Sequence, residues 1–156
     1  MESDAKNFNK NILIAVDDSE NAHRAVSYVG QMLGDSDGYK ITLLHVIADP
    51  EEDFFPTSDE REKWLEGRKK TAEEMLEEYR KDLINAGFKP EDVSKFSTLK
   101  HCPSMAECIL SERKKAGYST IVLGRQGISR SEEFLFGSIS SKIVTHARSC
   151  TVWIVE

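Results

Sequence analysis

The sequence predicts an α/β protein, a three-layer sandwich in which a five-stranded parallel sheet carries helices on both faces. Its short apolar runs are continuous rather than alternating, which is typical of strands that are buried on both faces. Segments with helical apolar stripes lie between these runs, and right-handed crossovers place such helices on both sides of a parallel sheet. A length of 156 residues suits one core rather than two. We therefore expect a single domain over residues 1–156, with residues 1–9 flexible.

The composition excludes several classes of protein. Apolar residues make up 39% of the chain and charged residues 31%, which is ordinary for a globular protein and too apolar for intrinsic disorder. The 21 basic and 27 acidic residues give a net charge of -6, so the chain lacks the cationic field that nucleic-acid binding needs. No apolar run approaches the roughly 20 residues that span a bilayer, and the N-terminus has no signal-peptide segment. We expect neither nucleic acid nor membrane as a partner.

The cysteines indicate a compartment. Cys102, Cys108 and Cys150 are an odd number and include no C-x-x-C pair. A reducing cytoplasm is the simplest location for such a set. We expect Cys102 to be a thiol in a loop and Cys108 a thiol in the core.

The first 87 residues of the chain contain two strand–helix units. Residues 11–16 form an apolar run that ends at Asp17-Asp18-Ser19, and Ser19 is placed to cap a helix, although Ala22 leaves no capping box. The helix is predicted from apolar residues at helical spacing, closed by Gly34: Ala22, Ala25, Val26, Val29, Met32 and Leu33. Residues 41–47 form the second strand, and residues 48–59 form a loop. A long charged helix over residues 60–86, closed by Gly87, carries one apolar stripe: Trp64, Ala72, Met75, Leu76, Tyr79 and Leu83.

The rest of the chain continues the alternation. The predicted elements are a third strand over residues 96–100, a helix opened by Pro103-Ser104 and ended by Gly117, a fourth strand over residues 120–123, a helix opened by Gly137-Ser138, and a fifth strand over residues 151–155.

The loop after the fourth strand carries the most informative pattern. It has Gly124 and Gly127 after the strand, then nine residues, then Gly137-Ser138 at a helix start. Glycine lets the backbone approach a ligand closely, and a helix N-terminus offers free N–H groups and positive charge to a phosphate. The pattern fits a phosphate cradle, and it also fits glycines that serve turns and caps alone.

The chain resembles the universal stress proteins over nearly its whole length. It matches the G-2x-G-9x-G-(S/T) motif of their nucleotide-binding members in full, and residues 16–19 and 44–46 resemble the family's V-D-x-S and L-H-V segments. The chain departs from the family pattern in two places: Arg125-Gln126 replaces a common Ser-His or Ser-Arg, and Thr151 replaces a common proline. Neither change removes a backbone donor from the glycine motif.

The resemblance implies a Rossmann-like fold of the adenine nucleotide α-hydrolase type with strand order 3-2-1-4-5. It implies a stress-response protein that binds ATP, with Mg²⁺ held through the phosphates, and a homodimer formed through the last strand. Ala15, Val16 and Asp17 would line the adenosine end, Val46 would meet adenine through its main chain, and Leu123 would pack on the base. The residues implied to hold ribose and phosphates are Gly124, Gly127, Gly137, Ser138, Ile139 and Ser140, with Arg125 or Arg130 as a source of charge.

Enzyme alternatives have less support. The chain has no P-loop, no G-x-G-x-x-G and no G-x-S-x-G. Asp17 and Asp18 could hold Mg²⁺ in a hydrolase, but such a pair more often caps the following helix. His101 with Cys102 and Cys108 could begin a metal site, although a fourth ligand is missing. We expect a nucleotide-binding protein without catalytic residues or protein-bound metal; a slow ATPase and a nucleotide-free interaction module remain as alternatives.

Two structural expectations follow. A side chain at Gly124 or Gly127 would intrude where the backbone approaches the ligand, so a bulky substitution should abolish binding and leave the fold intact. Residues 151–155 form an apolar strand at the end of the chain, where its unpaired N–H and C=O groups could pair with a second copy.

Overall fold

Five parallel strands form one sheet in the order β3-β2-β1-β4-β5, which confirms the predicted fold class and strand order. The computed structural model describes residues 8–50, 54–125 and 138–156. Its strands are β1 (Asn11–Ala15), β2 (Lys40–Ile47), β3 (Val93–Leu99), β4 (Thr120–Gly124) and β5 (Thr151–Val155). Its helices are α1 (Glu20–Leu33), α2 (Ser58–Asn85), α3 (Met105–Ala116) and α4 (Ser138–His146).

The central strand β1 contributes to a separate core on each face of the sheet. Ile12 and Ile14 pack with α1 and α2, whereas Leu13 packs with α3 and α4. These three side chains are at most 2% exposed. A strand that is covered on both faces needs apolar residues at consecutive positions, which is why β1 is a continuous apolar run.

The helix starts follow from side-chain caps. Ser19 Oγ accepts a hydrogen bond from Ala22 N at the start of α1, and Ser104 Oγ accepts one from Glu107 N at the start of α3, each at 3.2 Å. Both caps lie where the sequence predicted them. The helix α2 begins two residues earlier than predicted, because Thr57 Oγ1 caps it by accepting from Glu60 N.

The strand β3 begins at Val93 rather than at the predicted Phe96. Lys95 explains the difference, because a charged residue interrupts the apolar pattern from which the strand was predicted. Its Nζ bonds to Glu73 and lies 2.7 Å from Glu77 Oε2, both on α2. The hydrogen bond from Lys95 lowers the pKa of Glu77, and the hydrogen bonds to Glu73 and Glu77 raise the pKa of Lys95.

The C-terminal ends of α1 and α2 meet through backbone atoms. Gly87 has φ +125°, and a Cβ on it would lie 2.4 Å from the carbonyl oxygen of Gly34. A glycine is therefore needed at position 87 for its conformation and for the close approach.

Asn9, two residues before β1, is hydrogen-bonded to the connection between α3 and β4. Asn9 N donates to Ser119 Oγ at 2.7 Å, and Asn9 Nδ2 donates to Gly117 O at 2.9 Å. We predicted flexibility for residues 1–9, of which residues 1–7 lie outside the described residues. Among the helices described here, none has the length and apolar character that crossing a bilayer requires.

Candidate functional site

A pocket of about 230 Å³ lies at the carboxyl edge of the sheet, above β1, β2 and β4. In a parallel sheet, ligands bind beyond this edge, near the point where the strand order reverses. The described lining residues come from the ends of β1, β2 and β4 and from α1, α3 and α4: Ala15, Val16, Asp17, Ser19, Ala22, Leu44, His45, Val46, Met105, Ile109, Leu123, Gly124, Ile139 and Ser140.

Most of the residues that the resemblance implied as nucleotide ligands meet in this pocket: Ala15, Val16, Asp17, Val46, Leu123, Gly124, Ile139 and Ser140. Ser138 is exposed at the first residue of α4 and is not among the lining residues. Gly127, Gly137 and Arg130 lie outside the described residues, so their roles stay predictions.

The loop after β1 is fixed from two directions. Asp17 Oδ1 accepts a hydrogen bond from Ser19 N at 2.9 Å, which holds the turn that leads into α1. The hydroxyl of Tyr79 on α2 donates to Asp17 O at 2.6 Å. Burial, together with the negative charges of Asp17 and Asp18, raises the pKa of Tyr79, so its hydroxyl stays neutral and available as a donor.

His45 ties the end of β1 to β2, a role that the sequence analysis missed. Its Nδ1 lies 2.8 Å from Val16 O, and because a carbonyl only accepts, the Nδ1 carries the proton. In return, Val16 N donates to Leu44 O at 2.8 Å. No local sequence signal separates this histidine from an ordinary strand residue, because the contact depends on the pairing of β1 with β2.

Two residues of α3 close the pocket opposite α1. Met105 and Ile109 are four residues apart and therefore lie on one face of the helix. The sequence analysis predicted the helix but did not assign either residue to a site. The spacing predicts an inward face but does not tell a core from a pocket wall.

Gly124 is required by α1 as well as by the pocket. A Cβ on Gly124 would lie 2.5 Å from the carbonyl carbon and oxygen of Asn21 and 2.8 Å from Ala22 N. Asn21 Nδ2 also donates a hydrogen bond to Arg125 O. The φ of Gly124 does not lie in the left-handed region, so its backbone conformation does not require glycine. We therefore correct the physical reason given for this glycine: a side chain there meets the first turn of α1, so substitution would strain the fold and not only the ligand site.

The Arg125 guanidinium is engaged by the end of the chain. Its Nη1 lies 2.8 Å from Glu156 Oε1, and the backbone N of Arg125 donates to Val155 O at 2.6 Å. Arg125 is not among the residues that line the pocket. Its suggested contact with phosphate stays a prediction.

The expectation of two separate thiols is wrong for Cys102 and Cys108, which form a disulfide. The chain turns back at the start of α3, and this brings the two Cα atoms to 5.4 Å. A separation of six residues across a loop and a helical turn does not reveal this approach in the sequence. Cys150 is free and half-buried. Among residues 8–50, 54–125 and 138–156, no group of three or more histidine, cysteine or acidic side chains is arranged to hold a metal ion.

A second depression, of about 330 Å³, lies beside β5. Its described lining includes Tyr28 of α1 and Trp153 of β5, whose rings meet edge to face at 6.1 Å. Tyr28 and Met32 are 43% and 58% exposed, so this side of α1 presents apolar surface next to the sheet edge.

Comparison with known proteins agrees with this architecture. The profile of the universal stress protein family matches residues 9–156. A Staphylococcus aureus protein assigned to the same family is 33% identical over 147 residues, covering 94% of this chain and 84% of that protein. The universal stress protein UspA from Lactobacillus plantarum has a similar fold, with a TM-score of 0.74 at 22% identity, over 96% of this chain and all of that one. The Archaeoglobus fulgidus universal stress protein solved in complex with dAMP has a TM-score of 0.63 at 17% identity, over 94% of this chain and 97% of that one.

Proposed function

The chain belongs to the universal stress protein family, and from that premise we propose that it binds ATP and acts as a ligand-dependent regulatory protein of the stress response. The observation that carries the proposal is the pocket at the carboxyl edge of the sheet, which brings together residues from β1, β2, β4 and α4 that the nucleotide-binding pattern had singled out. The dAMP complex of the Archaeoglobus fulgidus protein supports an adenine nucleotide as the class of ligand.

The pocket suits the two chemically different ends of such a ligand. Val46, Leu123 and Ile109 are at most 7% exposed and offer apolar surface to a planar base. Ser140 in the N-terminal turn of α4 also lines the pocket, and the free N–H groups and positive dipole end of such a turn favour phosphate. Mg²⁺ would be held through the phosphates rather than by a protein cage.

The test is identification of the ligand, followed by its affinity. Mass analysis of nucleotide released from freshly purified protein should find ATP, and calorimetric titration should rank ATP above AMP. Replacing Ser140, which is 1% exposed in the pocket, with alanine should weaken ATP binding by about 1–2 kcal/mol through loss of one hydrogen bond to the ligand. The matched control is Ser141→Ala, at an exposed position on the same helix. Equal affinities of the two variants would contradict the proposed site.

We also propose that the protein binds ATP without turning it over. The carboxylate of Asp17, a candidate magnesium ligand, accepts a hydrogen bond from Ser19 N and so supports the start of α1. This contact favours the helix-capping interpretation over a hydrolytic one. The measurement is phosphate release from Mg²⁺ and ATP: turnover near the typical enzyme rate of about 10 per second would contradict the proposal.

A homodimer through β5 is part of the same proposal. In the described part of the chain β5 pairs with β4 alone. Thr151 N and Val155 O bond toward the β4 side, and because backbone groups alternate along a strand, those of Val152 and Ile154 point outward. A twofold axis beside β5 would satisfy these groups in both copies, and the exposed Tyr28 and Met32 would extend the contact.

The dimer is tested with Val152→Pro, which removes an outward N–H and leaves the residues that bond to β4 in place. Sedimentation should find a dimer for the wild type at tens of micromolar and a monomer for the variant. Trp153→Pro is the contrasting change, because it removes a donor that faces β4 and should lower stability. A wild-type monomer, or a dimer that Val152→Pro leaves intact, would refute this interface.

A further inference from the structure

The disulfide lies beside the wall of the pocket: neither cysteine is among the lining residues, but both pack in the apolar cluster that includes Met105 and Ile109. Cys108 is 3% exposed and stands on α3 between Met105 and Ile109, the two α3 residues that line the pocket. Cys102 is half-buried in the loop between β3 and α3. The bond therefore joins the loop to the helical turn that carries Met105, and it fixes where that turn lies relative to the strand ends.

The same turn is connected to α4. Ser104, the cap of α3, stands between the two cysteines in the chain, and its Oγ receives a hydrogen bond from Lys142 Nζ at 3.3 Å. Ile139 and Ser140, one turn earlier on α4, line the pocket. A change in the position of the first turn of α3 would thus reach both the apolar wall and the α4 side of the site.

We propose that Cys102 and Cys108 are a redox-reactive dithiol site whose oxidation state sets the affinity of the pocket for its ligand. The co-substrates are low-molecular-weight thiols and disulfides. In the oxidised state the cross-link holds the first turn of α3 in the position described here, so the pocket is preformed and ligand binding is tight. Reduction frees the loop, and binding then has to order it. This inference rests on the proposed nucleotide-binding function.

The exchange is balanced with such reagents. Oxidation of the two thiols by one external disulfide forms the Cys102–Cys108 bond and releases two small thiols. In the reverse direction a small thiolate attacks Sγ of the half-buried Cys102 and displaces Cys108 as the leaving thiolate. A second small thiol then resolves the mixed disulfide on Cys102. The difference in exposure between the two sulfurs directs the attack to Cys102, because Cys108 is buried.

The short span of the disulfide indicates that it acts on the local segment rather than stabilising the whole fold. The cysteines are six residues apart, and both belong to the loop and first turn of α3. In the chain-entropy account, a cross-link stabilises a fold more when it closes a longer loop. A bond this short acts chiefly on its own segment, which here is the pocket wall.

The experiment uses the full chain equilibrated with oxidised or reduced glutathione. Iodoacetamide labelling of the denatured samples followed by mass measurement should find one labelled cysteine, Cys150, after oxidation and three after reduction. ATP affinity should fall at least about fivefold on reduction, the lower end of ordinary coupling between sites. Cys102→Ser should have one affinity under both conditions, close to that of the reduced wild type. Cys150→Ala, which removes the free thiol, should respond as the wild type does.

Each contrary result has a separate meaning. Labelling of all three cysteines after oxidation would overturn the inference, and so would equal ATP affinities in the two states. If neither state bound any adenine nucleotide, the proposed function would fail. Amide hydrogen exchange over residues 105–109 would then test whether the disulfide holds the first turn of α3 in position. Slower exchange in the oxidised protein would support this effect of the disulfide, and equal exchange in the two states would overturn the inference.

Discussion

Replacing Gly124 with alanine tests the steric explanation for this glycine. The added Cβ would lie 2.5 Å from the backbone of Asn21, roughly 1 Å inside an ordinary contact, and its neighbours are backbone atoms rather than a flexible side chain. The clash can be relieved only if β4 or the start of α1 moves. Overpacking of this kind costs about 1–3 kcal/mol. We expect the free energy of unfolding to fall by about 2 kcal/mol.

Urea unfolding of the purified protein measures this loss, with Gly67→Ala as the matched control. Gly67 lies inside α2, and a Cβ there would meet nothing within 4 Å. Replacing a helical glycine with alanine stabilises a helix by about 1 kcal/mol. The two glycine-to-alanine changes should therefore shift the unfolding midpoint in opposite directions.

The result also distinguishes between the two explanations of Gly124. If the variant unfolds at wild-type urea concentrations but no longer binds ATP, the side chain obstructs the ligand, and the steric argument from α1 is refuted. If stability and affinity fall together, the clash with α1 explains both, because Gly124 also lines the pocket.

Three more predictions concern the α2 layer. Tyr79→Phe removes the hydrogen bond to Asp17 O and should lower the free energy of unfolding by about 1 kcal/mol in urea. Leu76→Ala, at a side chain that is 0% exposed, should cost about 2–5 kcal/mol, and a smaller loss would show that the core collapses around the gap. Glu77→Gln should destabilise the protein at neutral pH and lose its effect as acid protonates Glu77. The pKa of Glu77 in the folded protein lies below its ordinary value of 4.5. The stability that its pair with Lys95 contributes is therefore present above pH 4.5 and is lost as the pH falls through the folded pKa. Thermal unfolding of the wild type and the variant against pH measures the difference in stability.

The strands and the helix caps could be predicted because they depend on local patterns, whereas the strand order was implied by the family resemblance. Continuous apolar runs indicate strands buried on both faces, and Ser19 and Ser104 are residues that cap helices wherever they precede an apolar stripe. The start of β3 could not be predicted in this way. Lys95 is stabilised there by Glu73 and Glu77 of α2, and a contact between distant segments leaves no mark on the local pattern.

The candidate site also contains residues that local patterns predict and residues that only the tertiary structure brings together. Asp17 and Gly124 follow strands directly, so the rule that ligands bind beyond the strand ends selects them from the sequence. Met105 and Ile109 come from a helix that packs beside those ends, and their spacing is that of any buried helix face. The bond between Cys102 and Cys108 depends on how the chain turns before α3. Such features are set by tertiary structure and need coordinates.

The alternation of β1 between the two cores limits where the chain can change length. Ile12 and Ile14 face one helix layer, while Leu13 faces the other. Inserting or deleting one residue within β1 would exchange these faces and misalign β1 with both β2 and β4. Residues 35–38, between α1 and β2, belong to no strand, so no strand register fixes their number. Length variation among relatives should therefore collect in the connections, with β1 kept free of insertions and deletions.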